Sequence, residues 1–278
     1  MRQLILLIGL AIAAGSSLGA EHEHAASPSV PSQGATPAWT KLPRLEAAGK
    51  RGGERNGVLL RVVGLDATEM QVFSPDGGQR GFPIGPEGAR IQSAGPTIGN
   101  YHWVSAREER PEHVAVASTA WYFSNPGQSP TQLLSRLKSE LEIVPSPLPR
   151  EHGRYRESEK WKFQVRFLGE PLAGKSLRLD TSRGSQLRFT TDATGVATVL
   201  FPRDFNDSDS THGHGRASAD FVLAVEHTAG GRHYLSSFSH TYGPDADRGQ
   251  SLSWGGAFLV AGMLGALPIL RRRQSKEN

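Results

Sequence analysis

The sequence predicts an all-β protein, and three observations carry that prediction. The stretch 163–201, FQVRFLGEPLAGKSLRLDTSRGSQLRFTTDATGVATVLF, alternates apolar and polar residues in short runs, the period of half-buried strands. Turns rich in Gly, Pro, Asp and Ser separate these runs, and no apolar series at helical spacing passes through them. With 32 Gly and 18 Pro among 278 residues and 37% hydrophobic content, the composition suits a loop-rich β protein better than a helical one.

Within that stretch Phe163, Val165 and Phe167 share one face, with Gln164 and Arg166 on the other. Gly169 to Gly174 form a turn, Leu177-Arg178-Leu179 and Leu187-Arg188-Phe189 alternate again, and Thr191 to Gly195 turn the chain onto Val196 to Phe201. The result is four short antiparallel strands of a sandwich. Upstream, Val58 to Val63, Met70 to Phe73, Tyr101 to Val104, Val114 to Ala117 and Thr119 to Phe123 read as strands of a first β-rich unit, 57–140. Ser129-Pro130 opens a short helix that carries Leu133, Leu134 and Leu137 on one face and ends by Glu140. The second unit, 141–243, opens with the strand Leu141 to Val144 and closes with a hairpin beginning at Phe221.

The pattern Gly169-x-Pro171-Leu172-x-Gly174, followed by Thr191-Asp192-x-x-Gly195 and an alternating strand, resembles carboxypeptidase-regulatory-like and transthyretin-like modules. The block as a whole resembles a periplasmic β-sandwich family of unknown function, associated with nickel, cobalt and other transition-metal uptake systems. The resemblance covers roughly residues 140–243. It implies one or two immunoglobulin/transthyretin-like β-sandwich units, transporter subunits as partners and a transition-metal ion as cargo.

Both ends carry membrane signals. Met1-Arg2, the apolar run Leu4 to Ala14 and the small residues up to Ala20 read as a signal peptide over 1–20. Residues 251–270 form an apolar segment followed at once by Arg271-Arg272-Arg273, long enough for a C-terminal transmembrane helix with a basic cytoplasmic tail, 271–278. This tail also resembles bacterial C-terminal sorting signals, which are removed. Residues 21–56 read as a flexible linker in which Trp39, Leu42 and Leu45 are scattered, and 244–250 as a stalk. The body then faces the periplasm, or extracytoplasmic side, from the inner membrane.

A net charge of +4 with mixed signs argues against nucleic acid. The absence of cysteine removes disulfides, thiolate metal sites and cysteine nucleophiles. No Gly-x-Ser-x-Gly elbow at a strand-to-helix turn, His-Glu-x-x-His pair or phosphate-binding glycine loop is present. Enzymatic activity and organic cofactors therefore find no support.

Histidine is what remains. After signal cleavage the chain starts near Ala20-Glu21-His22-Glu23-His24, where a free amine, amides and imidazoles can wrap Ni(II) or Cu(II). Asp204, Asp207 and Asp209 precede His212 and His214 in a polar loop that can hold a divalent ion weakly, or can simply be solvated. On the last hairpin, a five-residue loop sets His227 opposite His233, close enough to share a metal. A two-residue loop pairs His227 with Tyr234 instead. His240, amid aromatics, reads as a core histidine, while His102, His113 and His152 stand isolated. The expected metal donors are thus His22, His24, His212, His214, His227 and His233, for Ni(II), Co(II) or Cu(II). The alternative is a non-catalytic interaction or spacer module of a cell-envelope complex.

Overall fold

The computed structural model describes residues 38–48, 57–123, 126–149, 153–206, 217–245 and 263. In chain order these hold β1 (Arg44–Ala47), β2 (Gly57–Val63), β3 (Glu69–Phe73), β4 (Gln79–Pro83), β5 (Ala89–Gln92), β6 (Tyr101–Arg110) and β7 (His113–Tyr122). A short helix, α1 (Thr131–Ser135), leads to β8 (Leu141–Pro145), β9 (Tyr155–Arg156), β10 (Lys160–Phe167), β11 (Glu170–Pro171) and β12 (Ser176–Thr181). The last strands are β13 (Gln186–Thr190), β14 (Val196–Leu200), β15 (Ala219–Ala229) and β16 (Arg232–Gly243).

Three sheets result. The large central one runs β13-β12-β15-β16-β7-β6-β3-β4, with β9 added beside β16. In the second, β10 lies between β8 on one side and β14 and β11 on the other; the third is β1-β2-β5. Most pairings are antiparallel, but β16 runs parallel to β7 from His233 opposite His113 to Phe238 opposite Ser118. Strands drawn from both spans of the sequence, before and after residue 140, therefore share one sheet.

Alternation decides which side chains meet. From the central sheet, Trp103, Phe221, Leu223 and Phe238 pack with Ile143, Phe163, Val165 and Val199 of the second sheet in one large core. On the opposite face Met70, Val72, Val104 and Ala117 pack with Leu45, Leu60 and Ile91 of the third sheet. The Thr191-Asp192-x-x-Gly195 motif is a turn held from within. Asp192 Oδ1 accepts from the Thr194 and Val196 N–H groups at 2.8 and 3.0 Å. Gly195 has φ +74° there, and a Cβ would stand 2.7 Å from the Val165 carbonyl oxygen.

Two expectations change. Residues 38–48, inside the stretch read as a flexible linker, contain β1, and Leu45 is buried there, 6% exposed. An isolated leucine gives no periodicity, so the strand is invisible in sequence. Helix α1 is also shorter than read: Arg136 is already extended (φ −62°, ψ 140°) and Leu137 is 48% exposed. Its terminal carbonyls are taken by Arg166, whose guanidinium donates to the Leu134, Ser135 and Arg136 oxygens at 2.6–3.1 Å. Glu142 neutralises Arg166 at 2.6 Å and Lys138 at 3.3 Å, so the buried cations are both paired and hydrogen-bonded.

Among the described residues no helix is long and apolar enough to cross a membrane. The segments read as signal peptide, transmembrane helix and basic tail lie outside them, Met263 excepted.

Candidate functional site

The β15–β16 hairpin fixes the histidines of the last two strands. Ala229 pairs with Arg232, leaving Gly230-Gly231 as a two-residue turn with φ +58° and +78°. Positive φ at both positions is the primed turn that matches strand twist, and glycine adopts it without strain. His227 is consequently opposite Tyr234, and His233 opposite Thr228. The arrangement that would have let His227 and His233 share an ion does not form, because their side chains point to opposite faces.

His227 packs edge-on against Phe167, ring centres 4.7 Å apart, and burial followed by the nearby Lys175 holds its imidazole below the usual range. His233 instead meets His113, the first residue of β7, which the parallel register places beside it. The two Nδ1 atoms are 3.2 Å apart and the ring planes differ by 12°. Ring centres at 5.3 Å exceed the nitrogen separation by about two ring radii, so the rings meet head to head rather than face to face. One Nδ1–H donates to the other Nδ1. Glu226 Oε2 is 3.5 Å from the other nitrogen of His233, Nε2. A carboxylate there favours the tautomer with hydrogen on Nε2, which makes His233 Nδ1 the acceptor and His113 the donor.

The surroundings are charged but balanced. Arg110 lies opposite His113 in register and pairs with Glu108 at 2.8 Å. Arg232 pairs with Glu109 at 2.6 Å, and Arg232 together with Arg107 holds that carboxyl down at about 2. The Glu112 carbonyl accepts the His233 N–H at 2.8 Å, fixing the strand ends that carry the pair.

Chemically, the pair can exchange its bridging proton for a divalent cation. Two imidazole nitrogens bound at roughly 2.0–2.1 Å around one tetrahedral ion stand about 3.3 Å apart, close to the separation already present. Each ring has to pivot so that both lone pairs converge. Among the described residues no group of three or more His, Asp or Glu side chains converges on a cation position, so solvent would complete the coordination.

The other expected donors divide in two. His22, His24, His212 and His214 lie outside the described residues, as does His152. Asp204, at the start of the acidic loop, is engaged: its carboxylate accepts from Thr181 Oγ1 at 2.8 Å, Ser185 Oγ at 2.6 Å and the Tyr242 hydroxyl. His240 is hydrogen-bonded, Nδ1 accepting the Thr241 N–H at 2.8 Å, but it is half-buried rather than in the core as expected. His102 is fully buried, accepts the Ala94 N–H at 3.1 Å, and is pushed down by burial to about 4. His113 reads as isolated in the sequence because its partner is 120 residues away, and nothing local announces a parallel pairing.

No protein-family model matches the chain, and no curated protein matches it. The metal-uptake resemblance therefore rests on the turn-and-strand motifs alone. Among solved structures, a Ca2+-stabilised adhesin with which an Antarctic bacterium binds ice overlaps 73% of this chain and 49% of its own, at 9% identity and TM-score 0.25. Two fibronectin type-III domains of chicken tenascin overlap 72% of this chain and 98% of theirs, at 14% identity and TM-score 0.21. Drosophila N-cadherin EC1-3 overlaps 73% and 62%, at 10% identity and TM-score 0.22. This chain thus spans about half the length of the adhesin. At such TM-scores these likenesses inform neither fold nor function.

Proposed function

We propose that this is a non-enzymatic, extracytoplasmic β-sandwich protein, held to the membrane by residues 251–270, that binds a transition-metal ion for a metal-uptake system. The observation that carries the reading is the His113–His233 pair, two imidazole nitrogens 3.2 Å apart with a carboxylate on the far side of one ring. Imidazole donors suit nickel, cobalt and copper, and with so few protein ligands affinity should rise from Co(II) through Ni(II) to Cu(II). Two protein ligands plus water make a site that releases as readily as it captures, which fits delivery better than storage. His22 and His24 at the processed N-terminus and His212 and His214 on the loop act as further donors. Transporter subunits are the partners this role requires.

Calorimetric titration of the signal-processed protein with each of the three ions tests the reading. The expected result is saturable binding at one ion per chain, removed by His113→Ala or His233→Ala and accompanied by proton release. Loss of binding on His22→Ala alone would move the site to the N-terminus. No saturable binding of any ion leaves the envelope-module alternative standing.

A further inference from the structure

The aim of the two rings in the His113–His233 pair carries more than their closeness. Their Nδ1 atoms are 3.2 Å apart and the ring planes differ by 12°. Ring centres 5.3 Å apart leave both nitrogens almost on the line that joins the centres. An imidazole lone pair leaves its nitrogen radially, in the ring plane, so the two Nδ1 donors point at one another. A cation midway between them would meet both lone pairs at an angle of about 180°. A tetrahedral ion needs each donor to turn by roughly 35° first. A linear ion asks only that the rings draw apart. Two metal–nitrogen bonds of roughly 2.0 Å span about 4 Å, so each ring retreats by about 0.4 Å, the size of ordinary thermal displacement.

We propose, resting on the metal reading of these histidines, that the pair is a two-coordinate site for a monovalent closed-shell ion, Cu(I). With its filled d shell, Cu(I) accepts two ligands in line, and two imidazoles then complete its coordination without solvent. A divalent ion on the same donors takes solvent for the rest. Cu(I) readily selects thiolate and thioether. The chain has no cysteine, and Met70 is wholly buried, which leaves imidazole, a ligand that suits copper. On binding, the hydrogen between the rings leaves, and His113 takes the tautomer with hydrogen on Nε2, as His233 already has beside Glu226. The nearby guanidiniums of Arg107, Arg110 and Arg232 are paired with Glu140, Glu108 and Glu109. The Glu112 carbonyl, accepting the His233 N–H at 2.8 Å, ties the ends of β7 and β16 and keeps the donors in register while the rings part.

Anaerobic titration of the full chain with Cu(I), supplied as its acetonitrile complex, and with redox-inert Ag(I) tests this. Both ions should saturate a site that is lost on His113→Ala and on His233→Ala and kept on His22→Ala. Both side chains are only half-buried, at strand ends, so the substitutions keep the fold. X-ray absorption of the chain loaded with a single equivalent of Cu(I) needs no variant, and two nitrogen ligands in line are expected. Bound Ag(I) should also keep Co(II) from the pair. Co(II) or Ni(II) held by these histidines while neither monovalent ion binds overturns the proposal and leaves the metal site standing. If the pair holds no ion of either charge, both fall. Monovalent binding that survives both substitutions, or a third ligand on Cu(I), overturns the proposal as well.

Discussion

The two faces of the central sheet are closed by different chemistry. Toward the second sheet, Phe163, Val165, Phe221 and Phe238 are wholly buried and interlock, and the buried ionic set of Lys138 with Glu142 and Arg166 is saturated with partners. Toward the third sheet, hydroxyls of Ser237 and Ser239 hold a single strand in place, a cleft stays open, and two imidazoles face each other at the sheet's end. Apolar burial fixes one face. The other is packed around Met70, Val104 and Ile91 but also held by buried hydroxyls, and it leaves the His233 side chain in reach of solvent. Stability and chemistry are therefore segregated by face, and substitutions should reveal that difference.

The largest effects belong to the filled face. Phe163→Ala should cost about 3–5 kcal/mol in chemical denaturation, because a wholly buried ring leaves a cavity that its neighbours cannot close. Glu142→Gln should cost about as much, since it strands Lys138 and Arg166 as buried cations without a carboxylate. A loss well below 1 kcal/mol in either variant breaks the comparison.

Intermediate effects follow from pH. Burial, reinforced by Arg80, lowers His102 from 6.5 to about 4. As pH falls through that window the unfolded chain takes up a proton that the fold refuses, so stability drops, by on the order of 2 kcal/mol. Lys138 is lowered by burial from 10.5 to about 8. Between those values the unfolded chain keeps a proton that the fold has released, and stability should rise with pH. Tyr101, raised by burial from 10 to about 12, turns the trend down again above pH 10. Denaturant midpoints measured from pH 4 to 11 read all three, and a flat profile from 8 to 10 contradicts the assignment for Lys138.

The smallest effects lie on the serine-held face. Ser237→Ala and Ser239→Ala should each cost about 1 kcal/mol, seen as faster amide exchange in β1 ahead of the rest of the chain. His113→Ala should change stability by less than that. If these substitutions prove as costly as Phe163→Ala, the two faces are not distinct.

Strand existence was legible wherever alternation ran for several residues with a marked turn, as from Phe163 through the Thr191–Gly195 turn to Phe201. Three things were not. Leu45 has no periodic neighbours to declare β1. Arg166, on what reads as the polar face of its strand, is 7% exposed, because Glu142 and three carbonyls satisfy it at a distance no local pattern records. The histidine pair depends on β7 and β16 running parallel, a long-range choice settled by packing rather than by residues near either histidine. Of the expected metal donors, His233 is in the described site, with a partner the sequence did not offer; the two-residue glycine turn sends His227 the other way.

The central claim is that binding chemistry resides on the serine-held face, at His113 and His233. Proton NMR of the histidine rings during Co(II) titration of the full chain tests it most directly. Hyperfine-shifted ring resonances that disappear in both His113→Ala and His233→Ala are the result this account predicts. Shifted resonances that survive both substitutions, or that vanish instead with His22→Ala, contradict it.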